Sequence, residues 1–414
     1  MNRVPLDWKV ELLDNVAERS SGHTPNRKIG RYWDGGIKWV SLADSDKLDR
    51  VTIADTTFQI STDGIANSSA VKHSAGTVIL SRDAGVGKSA VTADEMSVSQ
   101  HFIAWKCGPR LHNYYLYYWL QKMKRHFERI AVGSTIKTIG LPFFKRLEIE
   151  IPPELEQRTI AEILLKWDDA IARLEALVNA SAERKRALMQ QLVTGKKRFK
   201  EFIKSGKKVK TRFGDFPAEW SQLHMGDIAD EAGKKNHGGA NLPVLSCTKH
   251  RGLVNSLEYF GKRIFSQDTS TYRLVRRGDF AYATNHVEEG SIGYQNLHDV
   301  ALISPMYTVF RTRAGVDHEF FWKLIKTELY RHIFEVNTSG SIARRGALRW
   351  DEFALIKVFL PTIPEQKRIA AVLNACDCEI ELLQKQLAAL KEQKRGLMQK
   401  LLTGEVRVKV PKGA

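Results

Sequence analysis

The chain has 414 residues, of which 43% are hydrophobic, and 64 Lys and Arg against 47 Asp and Glu give a formal charge of +17. This length allows two or three domains, and the positive charge favours a polyanionic partner, of which nucleic acid is the commonest. No apolar stretch is long enough to span a bilayer, and the start lacks the apolar core of a signal peptide.

The four cysteines predict no zinc site, because only Cys376 and Cys378 are close in sequence and a single intervening residue is too short a spacing for a zinc pair. We therefore expect a cytoplasmic protein with reduced cysteines, no metal and no membrane attachment.

Residues 1–150 alternate short apolar runs with turn residues, which is typical of strands. The runs 37–41 and 76–80 are examples, whereas 114–127 has the apolar spacing of a helix. We predict a mixed α+β domain.

Three loops of this region carry candidate DNA contacts: 26–31, 82–89 and 133–137. Segment 82–89 resembles a phosphate-binding P-loop, but Arg82 stands where that motif needs its first glycine. The segment is either a tight turn that presents charged side chains to DNA or a plain surface turn. Segment 133–137 combines backbone and hydroxyl donors with a cation, which suits phosphate contacts. For each side chain, ordinary solvent exposure is the competing interpretation. The candidates are Lys28, Arg31, Arg82, Asp83, Lys88, Ser134 and Lys137.

Residues 156–198 recur at 365–407 with a constant offset of 209 residues, no gap and 19 of 43 positions identical. Apolar residues follow each other in steps of three and four, the heptad pattern of a coiled coil. A proline-containing segment precedes each copy and Thr-Gly ends it, as expected for helix boundaries. The main residues of this seam are Ile160, Leu164, Trp167, Ile171, Leu174, Ile369, Leu373, Ile380, Leu383 and Leu387.

Chain order favours pairing of the two helices with each other. The first helix carries the chain about 50 Å from the first domain to the second, and the second helix can return antiparallel along it. A larger helical bundle and a homodimer are the alternatives. Lys185 and Lys394 also occupy the seam, near the helix ends, where we expect their long side chains to extend to solvent.

Residues 199–212 form a basic linker, and residues 213–358 share a skeleton with the first domain. The runs 242–246 and 278–282 correspond to 37–41 and 76–80, and 319–334 has the apolar spacing of a helix. The loop 284–290 is the counterpart of the turn at 82–88, and Asn can contact adenine edges as Arg can contact guanine edges. The candidates in this domain are Lys249, Arg251, Asn285, His286, Ser341, Arg344 and Arg345.

Over nearly its full length the chain resembles the specificity (S) subunit of type I restriction–modification systems. The similarity is carried by SGHTP at 21–25, YW at 32–33, IKWVS at 37–41, GSTIK at 133–137, and IPP at 151–153 leading into EQR at 156–158. The pattern of an apolar residue and proline, Glu-Gln-Arg/Lys, a coiled-coil helix and Thr-Gly occurs twice. The second domain has AGKKN at 232–236 in place of the first motif.

The resemblance implies an α+β protein with two target-recognition domains, 1–150 and 213–358, and a pseudo-twofold repeat. The helical segments 151–198 and 359–414 would form an intramolecular antiparallel coiled coil. Each domain would read one half of a bipartite asymmetric site in double-stranded DNA. The helices would dock two adenine-methyltransferase (modification) subunits, and restriction/translocase subunits would join this complex. S-adenosylmethionine would bind the modification subunit, ATP and Mg²⁺ the restriction subunit, and no cofactor this chain.

The sequence lacks the glycine-rich cofactor loop and the Asn/Asp-Pro-Pro-aromatic segment that an adenine methyltransferase needs, and it shows no nuclease or helicase motif. We therefore predict that the chain has no catalytic site. The alternative function is a coiled-coil scaffold, or an orphan S-like protein, that organises protein partners without sequence-specific DNA recognition. A steep salt dependence of DNA binding would distinguish the two.

Overall fold

The computed structural model describes residues 4–338 and 347–409. These residues form two compact units, the first drawn from Met1–Leu177 and Leu383–Ala414 and the second from Val178–Leu382. Each unit contains one globular domain and part of each of two long helices. Within the described ranges, no helix is both long enough and apolar enough to cross a membrane.

The domain of the first unit is mixed α+β. Its strands are β1 (Lys9–Leu12), β2 (Ala17–Ser21), β3 (Trp33–Val40), β4 (Thr52–Ile53), β5 (Phe58–Ile60), β6 (Lys72–His73), β7 (Val78–Ser81), β8 (Ser89–Thr92), β9 (Met96–Val98), β10 (Phe102–Cys107) and β11 (Glu148–Ile151). Its helices are α1 (Thr62–Ala66), α2 (Asn113–Ile130) and α3 (Leu141–Phe144), after which the long helix α4 (Glu154–Leu192) begins. Short 3-10 turns span Leu13–Asn15, Gly30–Tyr32 and Leu42–Asp44.

Two sheets and a strand pair build this domain. The sheets have the strand orders β2-β10-β7-β8-β4 and β5-β3-β9-β6, and β1 pairs with β11. The buried face of α2 packs against β10 and α4 in one core, which includes Trp105, Trp119, Ile160 and Leu164. The recognition domain and the start of the long helix therefore share their hydrophobic core.

The second unit repeats this plan. Its strands are β12 (Lys208–Thr211), β13 (Gly214–Pro217), β14 (Ser221–His224), β15 (Ala229–Ala232), β16 (Val244–Thr248), β17 (Gly252–Asn255), β18 (Arg273–Arg276), β19 (Phe280–Ala283), β20 (Ile292–Tyr294), β21 (Val300–Ile303), β22 (Tyr307–Thr312) and β23 (Lys357–Leu360). Its helices are α5 (Met225–Ile228), α6 (Ser256–Phe260), α7 (His318–Ile325), α8 (Glu328–Thr338), α9 (Trp350–Ala354) and the long α10 (Ile363–Leu401), with a 3-10 turn at Lys200–Phe202.

The strand orders establish which segments of the two domains correspond. The sheets β15-β22-β19-β20 and β17-β16-β21-β18 match those of the first domain strand for strand, apart from the additional β4, and the pair β14-β23 matches β1-β11. The pairs β3-β9 and β16-β21 are both parallel. The predicted correspondences of 37–41 with 242–246 and of 76–80 with 278–282 are therefore confirmed.

Two predicted segments differ in detail. Residues 319–334 form two helices, α7 and α8, because the Thr327 hydroxyl accepts a hydrogen bond from the Tyr330 amide (3.3 Å) and begins a new helix. The predicted linker 199–212 contains β12, which pairs with β13, so part of it is a β-hairpin.

The long helices, of 39 residues each, pair antiparallel within both units. In the first unit, Asp168 binds Lys394 and Glu175 binds Lys391, with nitrogen–oxygen distances of 2.5 Å. In the second unit, Lys185 binds Asp377 and Arg184 binds Glu379. In each case, residues farther along α4 meet residues closer to the start of α10.

The predicted seam faces inward along both helices. Ile160, Leu164 and Leu373 are fully buried, and Ile369 is 1% exposed. Farther from the domains, seam residues are half-buried: Trp167, Leu174, Ile380, Leu383 and Leu387. The expectation that Lys185 and Lys394 extend to solvent was wrong, because each amine forms an ion pair with an aspartate of the opposite helix.

Candidate nucleic-acid interface

Two predicted loops of the first domain lie side by side. The turn 82–88 connects β7 to β8, and the loop 132–138 follows α2. Thr138 forms β-bridges with both Asp83 and Val132, and the Ala84 amide donates to the Lys137 carbonyl at 3.2 Å. The candidates of these two loops therefore lie in one region, in which Ser134 and Lys137 are exposed.

The turn itself is held by charged groups that face the domain. His101 Nδ1 lies 2.8 Å from one carboxylate oxygen of Asp83, and the Thr138 hydroxyl donates to the other. Lys88 Nζ donates to the Ser45 carbonyl at 2.8 Å. Both candidate side chains are thus engaged in the fold of the turn.

Arg82 is partly accessible. Its guanidinium donates to the carbonyls of Gln100 and Ile139 at 3.2 Å each, and its side chain remains 21% exposed. These two bonds leave part of the guanidinium group facing solvent beside the exposed loop 132–138.

The loop 26–31, which carries the candidates Lys28 and Arg31, follows a segment that is connected to this turn through Gln100. The Thr24 hydroxyl hydrogen-bonds the side chain of Gln100, whose carbonyl accepts from Arg82. Lys28 is exposed, and Arg31 is 70% exposed and 4.0 Å from Asp63. The SGHTP motif has a structural explanation here, because a Cβ on Gly22 would lie 1.9 Å from the Val98 carbonyl oxygen.

In the second domain, one lysine joins two candidate loops. The turn between β16 and β17 carries the exposed Lys249 and Arg251, and the loop 284–290 connects β19 to β20. Lys326 Nζ donates to the carbonyls of Lys249 (2.9 Å) and Gly290 (2.8 Å), and burial lowers its pKa. The two loops therefore lie together, as the turn 82–88 and the loop 132–138 do in the first domain.

The remaining candidates of this domain differ in exposure. Asn285 is half-buried, whereas His286 is exposed with Nδ1 3.6 Å from a Glu289 carboxylate oxygen. Ser341, Arg344 and Arg345 lie outside the described residues.

His286, Glu288 and Glu289 could each bring one ligand atom within 4.8 Å of the others. Exposed groups of this kind are common without a metal ion. The absence of a metal site stays a prediction.

Burial raises the pKa values of Cys107 and Cys247 to about 12, which keeps these thiols protonated.

The repeated Glu-Gln motif joins the long helices to their domains. Gln157 donates to the carbonyls of Arg110 and Pro152 and accepts from the His112 amide at 2.8 Å. Gln366 makes the equivalent bonds to Gly315, Pro361 and Asp317.

The glutamates bind arginines that follow the ends of the opposite helices. Glu156 accepts from Arg407 at 2.7 Å, and Glu365 accepts from Arg198 at 2.8 Å. These bonds raise the pKa of both arginines.

A Cβ on Gly404 would lie 2.3 Å from Pro5, and one on Gly195 would lie 2.5 Å from Pro217. The Thr-Gly helix ends thus pack against the Pro-x-x-Trp segments that begin each domain.

Sequence reasoning missed the partners of these groups. Arg198 attracted no structural role in the sequence, although it is the last identical position of the 43-residue repeat and aligns with Arg407. The alignment also pairs Asp168 with Asp377 and Lys185 with Lys394. Charged residues retained at equivalent positions of two otherwise divergent helices were the available signal.

A family model described as "Type I restriction modification DNA specificity domain" matches residues 5–184 and 221–392. The type I restriction enzyme MjaIX specificity subunit of Methanocaldococcus jannaschii is 23% identical over 99% of this chain and 95% of its own length. The MjaVIII specificity subunit of the same organism is also 23% identical, over 98% and 95%.

The fold is similar to that of solved S subunits. The S subunit from M. genitalium superposes with a TM-score of 0.53 at 14% identity, covering 97% of each chain. A chain from a study of complex assembly and conformational transition of the type I R-M system gives 0.57 at 16%, covering 98% of this chain and all of that one. The family match extends over most of the sequence, and this chain therefore belongs to the type I restriction–modification DNA specificity family, as a specificity component and not a catalytic one.

Proposed function

We propose that this chain reads a bipartite asymmetric site in double-stranded DNA, with one half-site for each domain. The observation that carries the proposal is that two domains of matching strand order place different side chains on equivalent loops. The loop 82–88 joins β7 to β8, and 284–290 joins the corresponding β19 and β20. Two readers of equal construction and different surface suit two half-sites of different sequence.

The exposed cations beside these loops, and the hydroxyl of Ser134, suit phosphate contacts, which hold a protein in register on the duplex. We assign this role to Lys28, Arg31, Ser134, Lys137, Lys249 and Arg251. Arg82, Asn285 and His286 are the candidates for base contacts. We propose that Asp83 and Lys88 act by shaping the turn, because their charged groups bind His101, Thr138 and Ser45 within the domain.

We further propose that the long helices dock two modification subunits. Leu177 of the first unit is 48% exposed and Leu382 of the second is 58% exposed, although both lie in amphipathic helices. We propose that these side chains pack against helices of the partner subunits. Under this proposal S-adenosylmethionine binds the modification subunit, ATP and Mg²⁺ bind the restriction/translocase subunit, and the present chain binds no cofactor.

Co-expression with the modification subunit of the same system, followed by mapping of N6-methyladenine across the host genome, tests the function. We expect a split motif with a fixed unspecified spacer. Replacing residues 1–150 with those of a relative should change only one half of the motif, and replacing 213–358 only the other.

A stable complex without any modification would favour the scaffold function instead. A motif whose two halves both change after one domain is replaced would contradict the assignment of one half-site to each domain.

A further inference from the structure

The first helix after the sheets of each domain can be aligned between the two domains from a shared contact. The His112 amide donates to Gln157 Oε1 and the Asp317 amide to Gln366 Oε1, both at 2.8 Å. Residues 112 and 317 thus precede α2 and α7 at equivalent positions, and other residues of these helices can be counted from them.

Six residues later, each helix contacts an aspartate of its long helix, and the two aspartates occupy equivalent positions of the repeat. The Tyr118 hydroxyl donates to Asp168 Oδ2 at 2.6 Å, and Lys323 Nζ donates to Asp377 Oδ2 at 2.7 Å. Asp168 and Asp377 are 209 residues apart, the offset of the long-helix repeat. The aspartates also bind Lys394 and Lys185, so each lies where its domain meets the paired long helices.

Three residues farther on, a side chain of each domain contacts the candidate readout loop. Gln121 lies within α2, and Lys326 directly follows α7. In the first domain, Gln121 Nε2 donates to Ser89 Oγ at 2.8 Å and to Asp49 Oδ1 at 2.6 Å. Ser89 directly follows the turn 82–88, and its amide donates to the same Asp49 carboxylate at 3.0 Å. Gln121 therefore fixes the end of this turn.

In the second domain, the equivalent residue is Lys326. Its ammonium donates to the carbonyls of Gly290 (2.8 Å), Ile292 (3.4 Å) and Lys249 (2.9 Å), and it lies 5.1 Å from the centre of the Trp322 ring. Gly290 ends the loop 284–290. Different side chains thus make the same connection in the two domains.

We propose that Gln121 and Lys326 are positioning residues for DNA readout. Gln121 joins the candidate recognition loop of its domain to α2, and Lys326 joins the corresponding loop to the end of α7; both helices contact a long-helix aspartate. This inference rests on the proposed function, since it assumes that these loops read the half-sites. A recognition loop must hold its donors within about 0.5 Å of the positions from which they can hydrogen-bond to the base edges. Removing the Lys326 donors leaves backbone carbonyls of two loops without their shared partner and releases the loops from each other.

The test uses the full chain in complex with its modification subunits and a library of randomised duplex DNA, from which bound molecules are sequenced. For Lys326→Met we expect about a tenfold or greater loss of discrimination at base pairs of one half-site, the one read by the second domain. Gln121→Leu should relax only the other half-site. Lys326→Arg, which keeps donors for the carbonyls, should retain discrimination, as should Lys357→Met, which removes an exposed cation of the same unit.

The possible outcomes are distinct. Equal loss at both half-sites, or unchanged discrimination at both, with the complex assembled as judged by size-exclusion chromatography, would overturn the positioning role and leave the proposed function standing. A wild-type complex that selects no bipartite sequence would overturn the proposed function and this inference with it. A Lys326→Met chain that fails to assemble is replaced by Lys326→Gln, to which the same outcomes apply.

Discussion

Arg198 binds Glu365 through two hydrogen bonds of 2.8 Å, although the two residues lie 167 positions apart in the sequence. The arginine follows the end of α4, and the glutamate lies in the first turn of α10. Both side chains are nearly inaccessible, at 8% and 1% exposure. The pair therefore connects the segment that follows the end of α4 to the beginning of α10 within the second unit.

Arg198→Met should destabilise the second unit by about 3–5 kcal/mol, because it leaves the buried Glu365 carboxylate without its partner. Urea denaturation followed by tryptophan fluorescence measures the change. Arg158→Met is the matched control, since Arg158 forms an exposed pair with Glu154 and its loss should cost less than about 1 kcal/mol. Equal effects of the two substitutions would contradict a structural role for the buried pair.

The free energy of unfolding should also decrease at low pH because Glu219 becomes protonated. The Arg198 guanidinium, with the Ser205 amide, lowers the pKa of Glu219 to about 2 from its ordinary value of 4.5. The folded state therefore binds this proton less tightly than the unfolded state does. The contribution is complete above pH 4.5 and is lost as the pH falls towards 2. Glu219→Gln should flatten the stability profile in this window, measured by denaturation at a series of pH values, and an unchanged slope would count against the assignment.

The seam ion pair between Asp168 and Lys394 should show energetic coupling. Both side chains are mostly buried, at 25% and 17% exposure. A double-mutant cycle with Asp168→Asn and Lys394→Met should give a coupling energy of about 0.5–3 kcal/mol. The cycle for Asp169 and Arg173, an exposed pair on α4 alone, should give less than about 0.5 kcal/mol. Coupling no larger than in this control would argue against a specific role of the seam pair.

Gly22 of the SGHTP motif should not tolerate a side chain. A Cβ there would lie 1.9 Å from the Val98 carbonyl oxygen and 2.4 Å from its carbon, both backbone atoms. Gly22→Ala should therefore lower the stability of the first unit by about 1–3 kcal/mol. Gly30→Ala is the control, because nothing lies within 4 Å of its Cβ position. Thermal melts that place both variants at the wild-type midpoint would refute the steric explanation.

Phosphate contacts should appear in the salt dependence of DNA binding. Lys137→Gln and Lys249→Gln should each reduce the slope of log K against log salt by about 1 and weaken binding equally for all sequences. Fluorescence anisotropy over roughly 50 to 200 mM salt measures both properties. Lys166→Gln, which removes an exposed cation from α4, should leave the slope unchanged. A control slope that falls as much as the others would show that only net charge matters.

The fold was predictable where sequence periodicity determines it. The heptad pattern located both long helices, since burial of one helix face requires apolar residues at those steps. Short apolar runs located the corresponding strands of the two domains, such as those in 76–80 and 278–282. Chain order and a shared seam also gave the correct antiparallel direction. The split of 319–334 into two helices was missed because its cause is local: one Thr327 hydroxyl begins α8 while apolar spacing continues through the break.

The candidate site was less predictable. Basic loops are visible in sequence, but the direction of a side chain is not, and Asp83 and Lys88 proved to bind groups inside their own domain. Gln121 and Lys326 attracted no notice because they differ in type and align only once the amide contacts of residues 112 and 317 are known. Equivalent positions in two divergent domains can be recognised from the fold more readily than from residue identity.

The division of the chain into units also sets an order of events during synthesis. The second unit is one uninterrupted stretch, Val178–Leu382, and can close once that stretch has left the ribosome. The first unit includes Leu401 and Leu402 in its core and binds Glu156 to Arg407. Its domain is translated before the second unit, yet its core waits for residues 401–407, so the half that is made earlier is completed later.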